Sequence, residues 1–568
     1  MIKLLFRFLV FFFIFNGYTR AQITNYTAHQ LHSPIDIPLV LAGNFGELRN
    51  NHFHTGIDIK TNRRTGYNIR SVEDGYVSRI RVSPWGYGQV VYINHYNGLT
   101  SVYAHLESFV GELKELVENQ QRKNEGYAFN YYPAKDSLQV KRGQIIAKSG
   151  NTGSSTAPHL HFELRETATE EALNPLLFDF KIDDTQAPTL REIKVYGLTK
   201  EGYRIPNKSR RVATTGNHGK YSIPGNRLTI PASYTSKTGG VGFSFDVIDK
   251  LDAANNHCGI YQSFLIVDYD TVFVQNMERI SFESNRHINT HKDYEEYHKR
   301  RRHFHKSFKT IHNQLPIYRQ VKNNGILQVQ PGNSYKIQYI VEDTYGNTSN
   351  LSFTLQVSEG EMEEKHTFYS GQEVLYPDSA FLSYDKTHYI LFPPGVLYEP
   401  TPLVLAAEKN SLSFGNEHIP LQETYKIMMP IQNEKWKEKS YIQRKNKAGR
   451  TFSEKGTVND GWITSRVRAF GSFSVEIDTI PPTIKTRNFI NHSSVNGKQL
   501  RWAITENESG LKSYNVYVDG EWYLLAYEPK ESAFMFTPPK ELKGERKVLI
   551  RAIDFCGNIS EEEYTLTF

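Results

Sequence analysis

Cysteine is nearly absent: the 568 residues contain two, Cys258 and Cys556. Two distant cysteines make no disulfide framework, and they read as buried thiols. Long apolar runs are equally scarce. Residues 8–15 are uninterruptedly apolar, but a bilayer takes ~20 residues to span. Lys3 and Arg7 precede this run, and Thr19 and Ala21 follow it with small side chains. Residues 1–21 therefore read as a secretory signal peptide cut before Gln22. No cysteine follows the cut at once, so a lipid anchor is not indicated, and no later segment is expected to span a membrane. Charge of one sign is also lacking. Cleavage removes Lys3, Arg7 and Arg20 and takes the formal charge from +6 to +3, too mild a balance to imply a nucleic-acid partner. The expected location is across the inner membrane, in the periplasm or at the cell surface.

What is abundant is the material of strands. Aromatics reach 13%, and Tyr, Phe, Val, Ile and Thr recur in short stretches bounded by Gly, Asn and Asp. The fold class expected is mainly β. At roughly 150 residues per domain, the length allows three to five domains. Residues 22–180 read as the first domain, dense in Gly and His from about Pro34 to Arg165, with turns at Asp74-Gly75, Gly86-Tyr-Gly88 and Asn97-Gly98. Within them, Phe109, Leu113, Leu116 and Val117 mark one face of a helix over residues 109–119.

A pattern then occurs twice. The first copy, residues 183–358, runs from Ala187-Pro188 to Asp343-Thr-Tyr-Gly346-Asn347. The second, residues 479–568, runs from Pro481-Pro482 to Asp554-Phe-Cys-Gly557-Asn558. Both resemble immunoglobulin-like β-sandwiches. The first carries an insertion rich in His, Lys, Arg and Tyr over residues 287–319, which reads as a basic, mobile surface loop. Residues 360–478 form a β-rich domain that matches neither copy.

The chemistry concentrates in three segments: Asn51-His-Phe-His54-Thr-Gly56-Ile-Asp58, Ser101-Val-Tyr103-Ala-His105-Leu, and Pro158-His159-Leu-His161-Phe-Glu163-Leu-Arg165. The last alternates as a strand does, so His159 and His161 share one face while Leu160, Phe162 and Leu164 face the core. Neutral imidazole is a common Zn²⁺ ligand. His54, Asp58 and one histidine of the pair would make three ligands, leaving a fourth position for water. His105 and the remaining histidine would then handle protons and the oxyanion.

These motifs resemble the lysostaphin/LytM-type zinc metallopeptidase domain, a compact antiparallel β-sheet fold that cuts peptide bonds in peptidoglycan. The resemblance covers roughly residues 35–170. It implies Zn²⁺ held by His54, Asp58 and His161, with His105 and His159 as the catalytic pair and peptidoglycan as the partner. Two departures stand out: the stretch 107–140 is longer than usual, and Ala157 replaces the usual Gly before Pro158. The helix in that stretch is expected beside the groove, limiting entry. The competing readings are a non-enzymatic activator of other wall hydrolases, which should lack a ligand, and an envelope scaffold or adhesin whose C-terminal domains bind other proteins.

Overall fold

The computed structural model describes residues 25–364, 368–369, 371–408 and 410–568; the expected signal peptide lies outside them. The N-terminal part is one antiparallel sheet. Its strands are β1 (Leu41–Gly43), β2 (Ile57–Lys60), β3 (Asn68–Arg70), β4 (Gly75–Val82), β5 (Gln89–His95) and β6 (Leu99–Phe109). After helix α1 (Glu112–Asn124) come β7 (Phe129–Tyr131), β8 (Gln139–Val140), β9 (Ile145–Ser149), β10 (His159–Glu166) and β11 (Ala172–Leu173). The order across the sheet is β1-β2-β10-β6-β5-β4-β7. Leu160, Phe162 and Leu164 of β10 are fully buried with Ile57, Ile59 and Tyr103 in one core.

The helix begins three residues later than its apolar spacing implies, because Phe109 closes strand β6. Leu113 and Val117 still join Phe109 in the core of the sheet. An αL residue, Glu125, ends the helix, the conformation in which many helices stop.

Behind the first sheet, three further pairs of sheets follow. Thr189–Leu198 and Gly240–Ile248 lie in a four-stranded sheet, facing an eight-stranded sheet that contains Ser334–Glu342 and Thr348–Val357. The rings of Phe245 and Tyr339, 4.9 Å apart, join the two layers. Two five-stranded sheets follow around Phe392, Phe414, Tyr425 and Phe470, and two four-stranded sheets close the chain around Trp502. Both cysteines are buried and free. No helix among the described residues is long and apolar enough to cross a membrane.

The insertion is not a solvated loop. It forms α2 (Ile288–His291), α3 (Tyr294–Arg300) and a strand, Phe304–Lys306, that joins the four-stranded sheet. Asp293 is wholly buried, capping α3 and accepting from Lys194, Tyr196 and Arg204. Arg300 pairs with Glu192 and Arg302 with Asp246. The basic run is matched by carboxylates from distant strands, so it packs. Lys292, also fully buried, donates to the carbonyls of Arg49 and Asn50 in the N-terminal part.

That contact belongs to a shared core. Phe45, Leu48, Phe53 and Ala172 pack with Met277, Ile280, Ile288, Leu315 and Ile317. Strand β11 also pairs with Arg279–Ile280, carrying the first sheet into the following segment.

Candidate metal centre and groove

Register places the cluster. Across β2 and β10, Asp58 faces His161 and Lys60 faces His159; directly paired residues project to the same side of a sheet. Gly56 lets these strands approach: an added Cβ would lie 2.4 Å from the Phe162 carbonyl oxygen. His161 also pairs with Ala104 on β6. Strict alternation would then send His105 to the far face. Instead Tyr103 pairs with Val91 and Leu106 with Gln89, so two residues of β6 oppose one of β5. At this bulge His105 adopts φ +60°, and its ring comes within 4.7 Å of His159, centroid to centroid. A bulge of this kind re-aims a side chain.

His54, Asp58 and His161 each offer a ligand atom, all within 4.8 Å of one another. His54 Nε2 lies 3.1 Å from Asp58 Oδ1 and 3.1 Å from His161 Nδ1, and His161 Nδ1 lies 2.9 Å from the same Oδ1. The opposite atoms are held from behind. His54 Nδ1 donates to the Asn44 carbonyl at 2.7 Å, and His161 Nε2 to Glu163 Oε1 at 2.8 Å. Such partners fix tautomer and ring orientation in a metal site. Arg49 donates to Asp58 Oδ2 at 3.0 Å. Glu163 is itself fixed by Arg165, Thr55 and the Tyr87 hydroxyl.

Burial would raise the Asp58 carboxyl, yet His54, His159 and His161 hold it well below its ordinary value. Burial likewise opposes ionisation of Glu163, but Arg165 and His161 keep it ionised. Burial would lower His161, but Asp58 and Glu163 raise it to about 9. With Nε2 donating to Glu163, Nδ1 is turned to Asp58 and His54, the side on which a cation would be held. The donor set fits a zinc ion: two imidazoles and one carboxylate, each orientated from behind.

The other two histidines stand beside this cluster. His105 Nδ1 donates to the Thr152 carbonyl at 2.8 Å, and His159 Nδ1 to that of Ala157 at 2.8 Å. Both Nε2 atoms are thus left toward the groove; His159 Nε2 is 3.4 Å from Asp58 Oδ1. Burial, then the His161 and His159 rings, lower His105 to about 3, so it is neutral.

The groove is a cavity of about 1090 Å³. One wall is the first sheet and its loops. The other comes from residues 247–248 and 256–259 and from Arg191, Tyr297, Arg301, His303 and His305. The stretch 107–140 was expected beside the groove, but His105 is the last residue of β6 on the lining, and nothing in 107–140 reaches it. The apolar stripe of α1 is used up in the core beneath, and the insertion supplies part of the second wall instead, through Tyr297, Arg301, His303 and His305. Sequence reasoning missed Asn44, Arg49, Tyr87 and the role of Glu163. Only Glu163 carried a signal, as the third residue of the alternating face of β10.

A single antiparallel sheet presenting a histidine–carboxylate cluster at one edge of a cleft has the build of a β-sheet peptidase. Residues 52–126 and 116–175 match peptidase family M23, and this part of the chain is an M23 peptidase domain. Residues 372–478 match the Zu5-like domain, which gives a type to the stretch that resembled neither repeat. The DD-carboxypeptidase/endopeptidase Mpg of Neisseria meningitidis serogroup B is 34% identical over 112 residues, 20% of this chain and 20% of that protein. The peptidoglycan DD-endopeptidase ShyC of Vibrio cholerae is 33% identical over 139 residues, 23% of this chain and 26% of ShyC. The chain thus spans only about a fifth to a quarter of the length of these relatives. Among solved structures, the catalytic domain of the prophage-encoded M23 protein EnpA from Enterococcus faecalis is 27% identical. It covers 26% of this chain and 95% of that one, with a TM-score of 0.20.

Proposed function

We propose that the protein is an exported zinc endopeptidase that hydrolyses peptide crosslinks of peptidoglycan. The observation that carries this reading is the cluster of His54, Asp58 and His161, each held from behind in the form that leaves its ligand atom free. The M23 match and the named activities of Mpg and ShyC support the substrate class. When bound, zinc lowers the pKa of a coordinated water to ~7 and polarises a carbonyl. Neutral His105 accepts a proton at Nε2, and its Nδ1–H bond to Thr152 keeps that atom turned inward. His159, anchored through Nδ1 at Ala157, turns Nε2 to the groove, the position from which an imidazole relays a proton to the leaving amine. Arg63, Arg191 and Arg301 along the groove suit a substrate bearing carboxylates.

The strand order of the last sandwich, two sheets of four with a hairpin strand at each edge, supports an immunoglobulin-like reading. Separate cores support the division of residues 183–358, 360–478 and 479–568, while the boundary between 22–180 and 183–358 is crossed by shared packing. No ligand position is substituted, which disfavours the activator reading.

The test is metal analysis of the purified chain together with digestion of purified peptidoglycan, its products resolved by mass spectrometry. About one zinc per chain and conversion of crosslinked to uncrosslinked fragments are expected. A zinc-loaded chain that leaves every crosslink intact would exclude the enzyme and favour the scaffold.

A further inference from the structure

A second cluster of ligand-type groups lies where the first sandwich meets the M23 domain. Asp184, Asp249 and Asp343 bring carboxylate oxygens within 4.8 Å of one another. Asp184 precedes the first strand of the sandwich, Asp249 follows Gly240–Ile248, and Asp343 opens the Asp-x-x-Gly-Asn turn. Asp343 accepts from Tyr345, Asn347 and the Asn347 amide group, and Asp184 from Gln186. Asp249 is different. It is 2% exposed, and its Oδ1 has no hydrogen-bond partner.

Leaving a buried carboxylate oxygen unpaired is expensive. Here the penalty is compounded, because the charges that bear on Asp249 are the other two carboxylates, with no cation among them. Burial and this mutual repulsion push Asp249 up to about 9 and Asp184 to about 7. The same three positions gather Asp478, Glu506 and Asp554 in the last sandwich. There the Asp478 oxygens accept from Ser509 and Ile480, and those of Asp554 from Asn558. The unpaired oxygen is thus a property of the first cluster.

We propose that Asp184, Asp249 and Asp343 bind a calcium ion that pins the second wall of the groove. An all-oxygen, irregular set of three acids suits a hard cation that takes 6–8 oxygens in flexible geometry, with carbonyls and water completing the shell. Magnesium demands a near-ideal octahedron and retains its waters. The consequence follows from what Asp249 holds. Its backbone pairs both ways with Cys258, at 3.0 and 2.8 Å, closing the neck of the 250–257 loop. The next residue, Gly259, exchanges two hydrogen bonds with the Asn44 side chain, and the Asn44 carbonyl orientates His54. Calcium at the neck therefore stiffens both the wall formed by residues 256–259 and the ring of His54.

The site is tested on the chain from residue 22 onward, saturated with zinc, by calorimetric titration and thermal melting with CaCl₂. One calcium per chain in this sandwich is expected, with Kd near the ~10⁻⁴–10⁻³ M usual for extracellular modules, and a rise in Tm. Terbium should occupy the same place and be sensitised by Tyr345, whose hydroxyl is close enough to feel Asp184 and Asp343. Asp249→Asn should weaken calcium binding at least about tenfold and abolish most of the Tm rise. Without calcium it should melt no lower than the parent, since Asp249 then carries its proton and the amide replaces a neutral acid of the same shape; this separates a lost site from a lost fold. His161→Ala should leave calcium binding unchanged. A Tm rise that persists in Asp249→Asn, no rise at 10 mM calcium, or an equal rise with magnesium would overturn the proposal.

Discussion

Left-handed backbone at His105 is uncommon for any residue with a side chain, though histidine tolerates it better than most. It is what turns the imidazole onto the face of β10 that carries His159 and His161. Asparagine adopts the same conformation, so His105→Asn should keep the bulge and the zinc. It should lower turnover by ~10²–10⁴-fold, the range for a lost proton-handling group; turnover near the parent's would remove His105 from the chemistry. Glu163→Gln is expected to act on metal rather than on turnover alone. It takes a charge from the partner of His161 Nε2 and leaves the buried Arg165 only the exposed Glu170, 3.5 Å away. Zinc affinity should fall ~10–100-fold and stability by ~3–5 kcal/mol, read by competitive chelation and by denaturant melts. How legible these residues were depends on the range of the interaction that fixes them. The shared face of His159 and His161 follows from alternation within one strand. The aim of His105 depends on a bulge opposite β5, which alternation contradicts. Asn44, Arg49 and Tyr87 act across turns and strands that no local pattern connects.

Helix α1 and the insertion exchange the roles their sequences imply. The helix has an apolar stripe and no part in the groove; the insertion, rich in His, Lys and Arg, packs against the sandwich and forms part of the wall. The stripe was legible because its period is local. The insertion was misread because its charges are cancelled by Glu192, Asp246 and other acids from strands far away in sequence. Replacing residues 112–124 by a short Gly-Ser link should expose the core around Leu113 and Val117, at about 1.5–3 kcal/mol for each such side chain. It should lower Tm while leaving KM for short peptides unchanged; a changed KM would return the helix to the groove. Asn285→Ala should lower Tm too, but should also reach the site. Asn285 Oδ1 accepts from the Phe53 backbone N–H at 2.7 Å in a fully buried setting. Its loss orphans that donor at ~1–3 kcal/mol and frees the segment leading to His54, so zinc affinity should fall with the Tm.

The M23 match ends at residue 175, but the folding unit extends further. Phe45, Leu48 and Phe53 pack with the first sandwich and its insertion, and β11 continues its sheet there. A chain ending at residue 182 should aggregate or melt far below one ending at 358, as gel filtration and scanning calorimetry would show; equal behaviour would make the M23 domain autonomous. Contacts reach further still, since Lys530 of the last sandwich donates to the Asn151 carbonyl and Tyr527 meets Trp85. The position of Phe53 in the shared core, one residue before His54, also bears on exchange. An ion held by His54 cannot leave through fraying of the sheet alone, because the segment beside it is anchored in a neighbouring body. Extraction by a strong chelator should therefore cease to depend on chelator concentration and level off at the rate at which the two bodies separate. That plateau would serve as a clock for their undocking.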